Sequence, residues 1–351
     1  MTATETETGT ETATGTGTAP DIPARRRGVR RTVLSGAFFL AVLVGLWLSL
    51  HDRIGAFADL ALRPRAIPYL VAAFAANAVG VLVTLVTFRS LLDGLSPVVG
   101  LRVTARIYFT SFVGKYVPGR VWGLLAQLRL GKEAGYSASA MSGVFLLNLA
   151  VGTLTGLALG LVCGPGLLGG QVWWLLLPAC AVGVLLVRPE LLSALVRAAA
   201  RLARREPPAA TTAAGMRRSM VAATVSWLVS GLHLWSLAVL FGADASRALP
   251  LCVGGFALAT ALSSLAIVLP DGWGAREAIL MLVLAAVLPW PAAGAVAVAS
   301  RIVCTASEVT VAGGALLLAR GSARRRRPTR TDPASPRTTS VPHDNPTTGR
   351  A

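Results

Sequence analysis

Long apolar runs alternate with short clusters of arginine, glycine and proline along most of the chain. VLSGAFFLAVLVGLWLSL at 33–50, IPYLVAAFAANAVGVLVTLVTF at 67–88 and MSGVFLLNLAVGTLTGLALGLVC at 141–163 are the clearest. Each approaches or exceeds the ~18 apolar residues that carry a helix across a bilayer. Further apolar stretches cover 171–187, 221–241 and 292–319. The pattern predicts an all-α, polytopic transmembrane helical bundle of about six to eight spans. A β-barrel would instead show alternating strands of ~10 residues.

Two apolar stretches are broken by charge and by proline and glycine. The first is SFVGKYVPGRVWGLL at 111–125, inside a segment running over 103–126. Arg89 and Arg102 precede it and Arg129 and Lys132 follow it, so both ends read as cytoplasmic. The segment then enters and returns as a re-entrant hairpin, with limbs of about ten residues reaching ~15 Å, half the hydrocarbon core. Arg106, Lys115 and Arg120 at the centre of a simple span would cost roughly 8–10 kcal/mol against a return of ~3–6 kcal/mol from its apolar residues. Protein or a wet cavity must shield it.

The second broken stretch is LSSLAIVLPDGWGAREAILMLVL at 262–284, interrupted at Pro270, Asp271, Gly272 and Gly274, with Arg276 and Glu277 following. Each half then reads span, span, broken segment, span, with half one over 33–163 beginning inside and half two over 171–319 beginning outside. Those are the terms of an inverted repeat, and paired broken segments are a pointer to a transporter's midplane site. Alternatively 251–269 is an ordinary span and the PDGWGARE turn lies at the cytoplasmic surface.

Composition sharpens this picture. Of 351 residues, 54% are hydrophobic and 14% charged, where soluble domains average near 25% charged. The net charge of +17 sits in the tails and in the loop at 188–220. That is the positive-inside bias rather than a nucleic-acid surface. It places both termini in the cytoplasm of a multi-pass protein of the cell membrane, although Arg63 and Arg65 lie on the outer side. Cys163, Cys180, Cys252 and Cys304 show no paired spacing and read as small buried hydrophobes. Residues 1–31 and 321–351 read as disordered tails around a membrane domain at 32–320.

The candidate chemistry is anion binding. Proline is suited to a helix start rather than its interior, so a helix should begin just after Pro118-Gly119. Its free amides and dipole, flanked by Lys115 and Arg120, suit a phosphate. The bland alternative is that these cations snorkel to the interface. In the second break, Asp271 or Glu277 is placed to pair with Arg120, Arg276 or Arg301. In the last span Arg301 and Glu308 are seven residues apart and share a helix face, which should point inward. Asn77, Asn148 and His233 read as interhelical glue. No metal site, cofactor motif or Walker segment is present in the sequence.

GKYVPGRVW, LPDGWGAREAIL and the arginine of the last span together resemble the transmembrane region of bacterial lysylphosphatidylglycerol synthases, and the stand-alone flippase-like membrane proteins related to it. The resemblance covers roughly 33–319, with its motifs in 106–133 and 265–308. It implies a helical bundle with re-entrant elements that binds or moves an anionic lipid, or a lipid-linked intermediate, between leaflets. Lys115, Pro118, Gly119, Arg120, Gly272, Gly274, Arg276, Glu277 and Arg301 match the family's motif positions. Asp271 stands where such proteins often carry a second glycine. The aminoacyl-transferase domain of the full synthases has no counterpart in a loop of about thirty residues, too short for a folded domain.

The resulting expectation is a flippase-like protein that works without a cofactor on anionic or phosphate-bearing lipids, alone or with a partner enzyme or subunit. Lys115, Arg120, Arg276, Glu277 and Arg301 are its headgroup site. Pro118, Gly119, Pro270, Gly272 and Gly274 are the structural breaks, with Arg106, Asp271 and Glu308 as lesser candidates. Two other readings stand beside it. One is a membrane enzyme on a lipid-linked substrate, a glycosyl- or acyl-transferase, with Asp52, Asp59, Asp93, Asp271, Glu277 or Glu308 as its acid or base. The other is an accessory subunit whose charges lock helix packing.

Overall fold

The computed structural model describes residues 64–116, 121–163, 188–202, 211–265 and 274–325, with a few positions between 180 and 187. The expected span at 33–50, most of that at 171–187, residues 1–31 and 326–351, and Pro118, Gly119, Arg120, Pro270, Asp271 and Gly272 lie outside these residues.

Nine helices make up the described chain: α1 Ile67–Leu91, α2 Leu101–Val113, α3 Val121–Glu133, α4 Ala138–Cys163, α5 Pro189–Leu202, α6 Ala213–Leu240, α7 Ala245–Leu265, α8 Ala275–Leu284 and α9 Trp290–Arg325. No strand occurs among the described residues. Pro64–Leu91, Ala138–Leu161, Ala213–Leu240, Ala245–Ser264 and Trp290–Ala319 are long and apolar enough to cross a membrane. This is the all-α, polytopic bundle that the apolar runs predict. The 21 residues of α7 reach about 31 Å at 1.5 Å each, the length of a full crossing rather than of a short limb.

Three stretches carry more helix than the apolar runs indicate. The stretch at 188–220 is not a plain loop. Pro189 sits at the first helical position, Glu190 favours the first turn, and Leu192 enters the core, so PELLSALVRAAARL forms α5. Next, α6 starts eight residues before the apolar run at 221 because Thr212 caps it, its hydroxyl accepting from the Gly215 amide at 3.0 Å. Finally, the last helix runs past Gly321 to Arg325. Its serine, alanine and arginines suit a helix, and the first proline after them is Pro328.

The bundle is organised around α1 and α6. These run antiparallel. Thr211 near the start of α6 donates its hydroxyl to the Leu91 carbonyl at the end of α1 (2.7 Å), and Ser226 donates to the Gly80 carbonyl mid-helix (2.9 Å). They cross closely: a Cβ on Gly80 would stand 1.9 Å from Ser230 Oγ. The other contacts come in matching sets. α4 packs on α7 as α9 packs on α2; α4 touches α6 as α9 touches α1; α3 touches α4 as α8 touches α9.

α2 and α3 fold back on each other as a helical hairpin, each limb 13 residues rather than the expected ten. Ser111 Oγ donates to the Gly123 carbonyl at 2.8 Å. A Cβ at Gly114 would lie 2.6 Å from the Gly123 nitrogen, so the two limbs approach at backbone distance. α7 and α8 form the corresponding hairpin with unequal limbs, Gly255 lying under Val283.

Candidate functional site

The site is assembled by the two hairpins and the last helix. Lys115 lies on a 3₁₀ turn, Gly114–Tyr116, that ends α2 just before the break. Arg276 is the second residue of α8, just after the other break. Between them stands Glu308, on the inner face of α9 and 7% exposed.

Glu308 is held from the opposite half of the chain. Lys115 Nζ lies 2.7 Å from Glu308 Oε2, and the Tyr116 hydroxyl donates to the same oxygen. The Lys115 ammonium also lies over the Phe112 ring, 4.3 Å from its centroid. Salt bridge and cation–π contact together fix this ammonium at the end of the α2/α3 hairpin.

Arg276, 3% exposed, is positioned from another side. Its guanidinium carbon lies 4.9 Å from the Phe256 ring centroid, and Nη2 donates to Cys304 Sγ at 3.2 Å. Cys304 Sγ is in turn 3.4 Å from His233 Nε2, which is 2.7 Å from Ser300 Oγ. His233 also bonds the Ser230 carbonyl. His233 therefore acts as interhelical glue behind the arginine, tying α6 to α9.

Glu277, the next residue, is used differently. Its Oε2 accepts from the Gly274 amide at 2.7 Å, satisfying a free donor at the start of α8. Its Oε1 lies 3.4 Å from Arg301 Nη1, with both side chains at least 88% buried. Gly274 has φ 84°, the left-handed side that glycine tolerates, in keeping with its reading as a break.

Lys115, Arg276 and Glu308 line one cavity of about 150 Å³. Its other walls come from α1, α2, α4, α6 and α7 and include Asn77, Tyr108, Asn148 and Trp227. Asn77 Nδ2 donates to Ser307 Oγ at 2.7 Å, and Tyr108 donates to Thr84 Oγ1 at 2.7 Å. Two hydroxyls on the wall, those of Thr87 and Thr260, are buried and find no hydrogen-bond partner among the described residues.

Of the residues that the sequence singles out, Lys115 and Arg276 meet here. Glu308, a lesser candidate, holds the centre. Glu277 and Arg301 pair with each other and are not among the residues that wall the cavity. The expectation that Arg301 and Glu308 share an inward face holds in part: both are turned into the protein, yet each takes its partner from a different hairpin. Arg106 is not among the residues that wall the cavity. It is exposed and pairs with Glu133 at 3.3 Å, the fold-back setting the middle of α2 beside the end of α3.

Tyr116, Tyr108, Trp227, Thr87 and Thr260 are absent from the sequence-based candidates. For α1 a signal exists: Asn77, Thr84 and Thr87 interrupt an apolar run at spacings of seven and three, which puts them on one helical face. Tyr116 lies within the GKYVPGRVW stretch, and nothing comparable marks Trp227.

The family model described as Lysylphosphatidylglycerol synthase TM region matches residues 32–313. No curated protein matches the chain.

Proposed function

Because the chain belongs to the lysylphosphatidylglycerol synthase TM-region family, we propose that it binds the headgroup of an anionic lipid or lipid-linked intermediate and moves it between leaflets. One observation carries this reading: two cations from the breaks of opposite halves, Lys115 and Arg276, line a single cavity. Intramembrane charge is costly and marks substrate paths. Paired guanidinium and ammonium groups are the usual hosts of a phosphate. At about 150 Å³ the cavity has room for a headgroup, leaving the acyl chains in the bilayer.

The antiparallel α1/α6 crossing and the matching contacts around it support the inverted repeat. In this reading α2 and α3 are a re-entrant hairpin, and both termini face the cytoplasm of the cell membrane. The carboxylates Glu277 and Glu308 are each held in an ion pair. That favours binding and transport over general acid–base chemistry. Movement is then passive, gradient-driven or coupled to a partner.

The test is a leaflet-exchange assay in proteoliposomes, with tail-labelled phosphatidylglycerol against phosphatidylcholine. Wild type should move phosphatidylglycerol selectively. Lys115→Gln and Arg276→Gln should each slow it about tenfold or more, the loss of one charge-assisted contact. Equal or no movement of both lipids would leave the enzyme and accessory-subunit readings ahead. Selective movement unchanged in both variants would remove the site from the mechanism.

A further inference from the structure

We propose that α5 is an in-plane helix docked on the membrane surface, its leucine stripe sunk among the acyl chains and its arginines set against anionic lipid headgroups. None of its residues walls the cavity described above.

The sequence PELLSALVRAAARL divides into three faces. Leu192 is 4% exposed and Ser193 is buried, on a helix that packs against α4 and α6. Leu191, Leu195, Ala198 and Leu202 follow at steps of four, three and four, which makes one stripe along the helix. All four are exposed, Leu195 by 56% and Leu202 by 89%. Glu190, Arg197 and Arg201 follow at steps of seven and four, on a third face. Neither arginine forms an ion pair among the described residues.

What covers the leucines follows from where the helix lies. The apolar stretch at 171–187 ends one residue before Pro189, and Arg188 marks the headgroup level there. Pro189, at the first helical position, opens a new axis at that level. The far end returns to a membrane-length helix as well. Thr211, nine residues after Leu202, bonds the Leu91 carbonyl where α1 ends. Val221 and Val225 of α6, which is itself long enough to cross, are exposed in the same way as the α5 leucines. The bilayer around the spans thus continues onto the α5 stripe. An apolar stripe beside a basic face is the make-up of an interfacial helix, whose apolar side sits about 5–10 Å into the headgroup–acyl boundary.

Charge selects the lipid. Arg188, Arg197 and Arg201 outnumber Glu190 over residues 188–202. Each basic residue near an anionic surface strengthens attachment about fivefold, so α5 should gather anionic lipids around it.

The experiment places the fluorophore bimane on Leu195→Cys, Leu202→Cys or Glu190→Cys in the full chain. Cys163 and Cys180 are first replaced by alanine; Cys252 and Cys304 are buried and stay. The protein is held in vesicles of phosphatidylcholine and phosphatidylglycerol. Lipids carrying a nitroxide high on one acyl chain quench from within the bilayer, and iodide quenches from water. Labels at 195 and 202 should be quenched by the lipids and shielded from iodide, and the label at 190 should show the reverse. At equal mole fraction, nitroxide phosphatidylglycerol should quench the label at 195 more than nitroxide phosphatidylcholine does. Arg197→Gln/Arg201→Gln should erase that difference. Labels at 195 and 202 that are open to iodide would put the stripe in water and overturn the proposal. Shielding from both quenchers would show a protein cover instead, a second copy or another part of this chain, and would overturn it equally. Equal quenching by the two lipids in the parent would overturn the anionic preference. Quenching requires no lipid exchange, so a failure here leaves the transport reading standing.

Discussion

Gly274 turns with φ 84°, a torsion that residues with a Cβ avoid, and the placement of Arg276 and Glu277 depends on it. Its amide meets Glu277 Oε2, which frees Glu277 Oε1 for Arg301 and leaves Arg276 for the cavity. Gly274→Ala should cost about 1–3 kcal/mol in stability through the forced torsion, read as a lower melting temperature in detergent. Because the same turn aims Arg276, phosphatidylglycerol exchange should fall by more than the lost folded fraction explains. At this scale the sequence was partly legible. Lys115, Arg276 and Gly274 stand out because charge and glycine are anomalous in apolar runs. Glu308 was harder to read. Its spacing to Arg301 fixes the face it lies on, but its partner Lys115 comes from the other half of the chain, and no local pattern reports a tertiary pairing. Arg106 shows the converse limit: cost in a membrane marks a charge as important without saying whether it lines a cavity or pairs across a hairpin.

Among the elements, the α2/α3 hairpin depends on two glycines more than on its apolar residues. A Cβ at Gly123 would lie 2.8 Å from the Ser111 carbonyl oxygen. Gly123→Val should splay the limbs, at about 1–3 kcal/mol for overpacking. Lys115 at the tip would then lose its register with Glu308. The expected outcome is a lower melting temperature together with slower phosphatidylglycerol exchange. Ser111→Ala, which removes only the hydroxyl bonded to Gly123, should do less. Element existence was well announced by hydropathy, and the start of α3 by the proline break. The ends of α6 and α9 were not, because Thr212 and the helix-compatible run after Gly321 extend them beyond their apolar cores. α5 is harder to see, because its arginines report topology and only its leucine spacing reports a helix.

For the whole molecule, cohesion lies between the halves more than within them. α1 packs on α6, α4 on α7 and α9 on α2, and each of these pairs joins one half to the other. Residues 64–202 and 211–325 should therefore associate as separate chains. Co-expressing the protein cut between 202 and 211, with a tag on one piece only, should recover both pieces together in detergent. Recovery of the tagged piece alone would show that each half folds on its own contacts. The paired order of the elements was readable from the spans and breaks, since that order needs only hydropathy. The unequal limbs of the second hairpin were not, as apolar length alone leaves a full crossing and a long limb equivalent.

The crossing at Gly80 also bears on how such a chain can change over generations. A methyl group there would fall 1.9 Å from Ser230 Oγ, and still 3.1 Å from the Ser230 Cβ. The 1.9 Å contact is with a rotatable hydroxyl, so Ser230 has to turn its side chain aside before position 80 accepts a methyl, while the Ser226 carbonyl oxygen at 3.2 Å stays close whatever stands at 230. Positions 80 and 230 should therefore vary together, and a larger side chain at 80 should be matched by a wider crossing of α1 and α6.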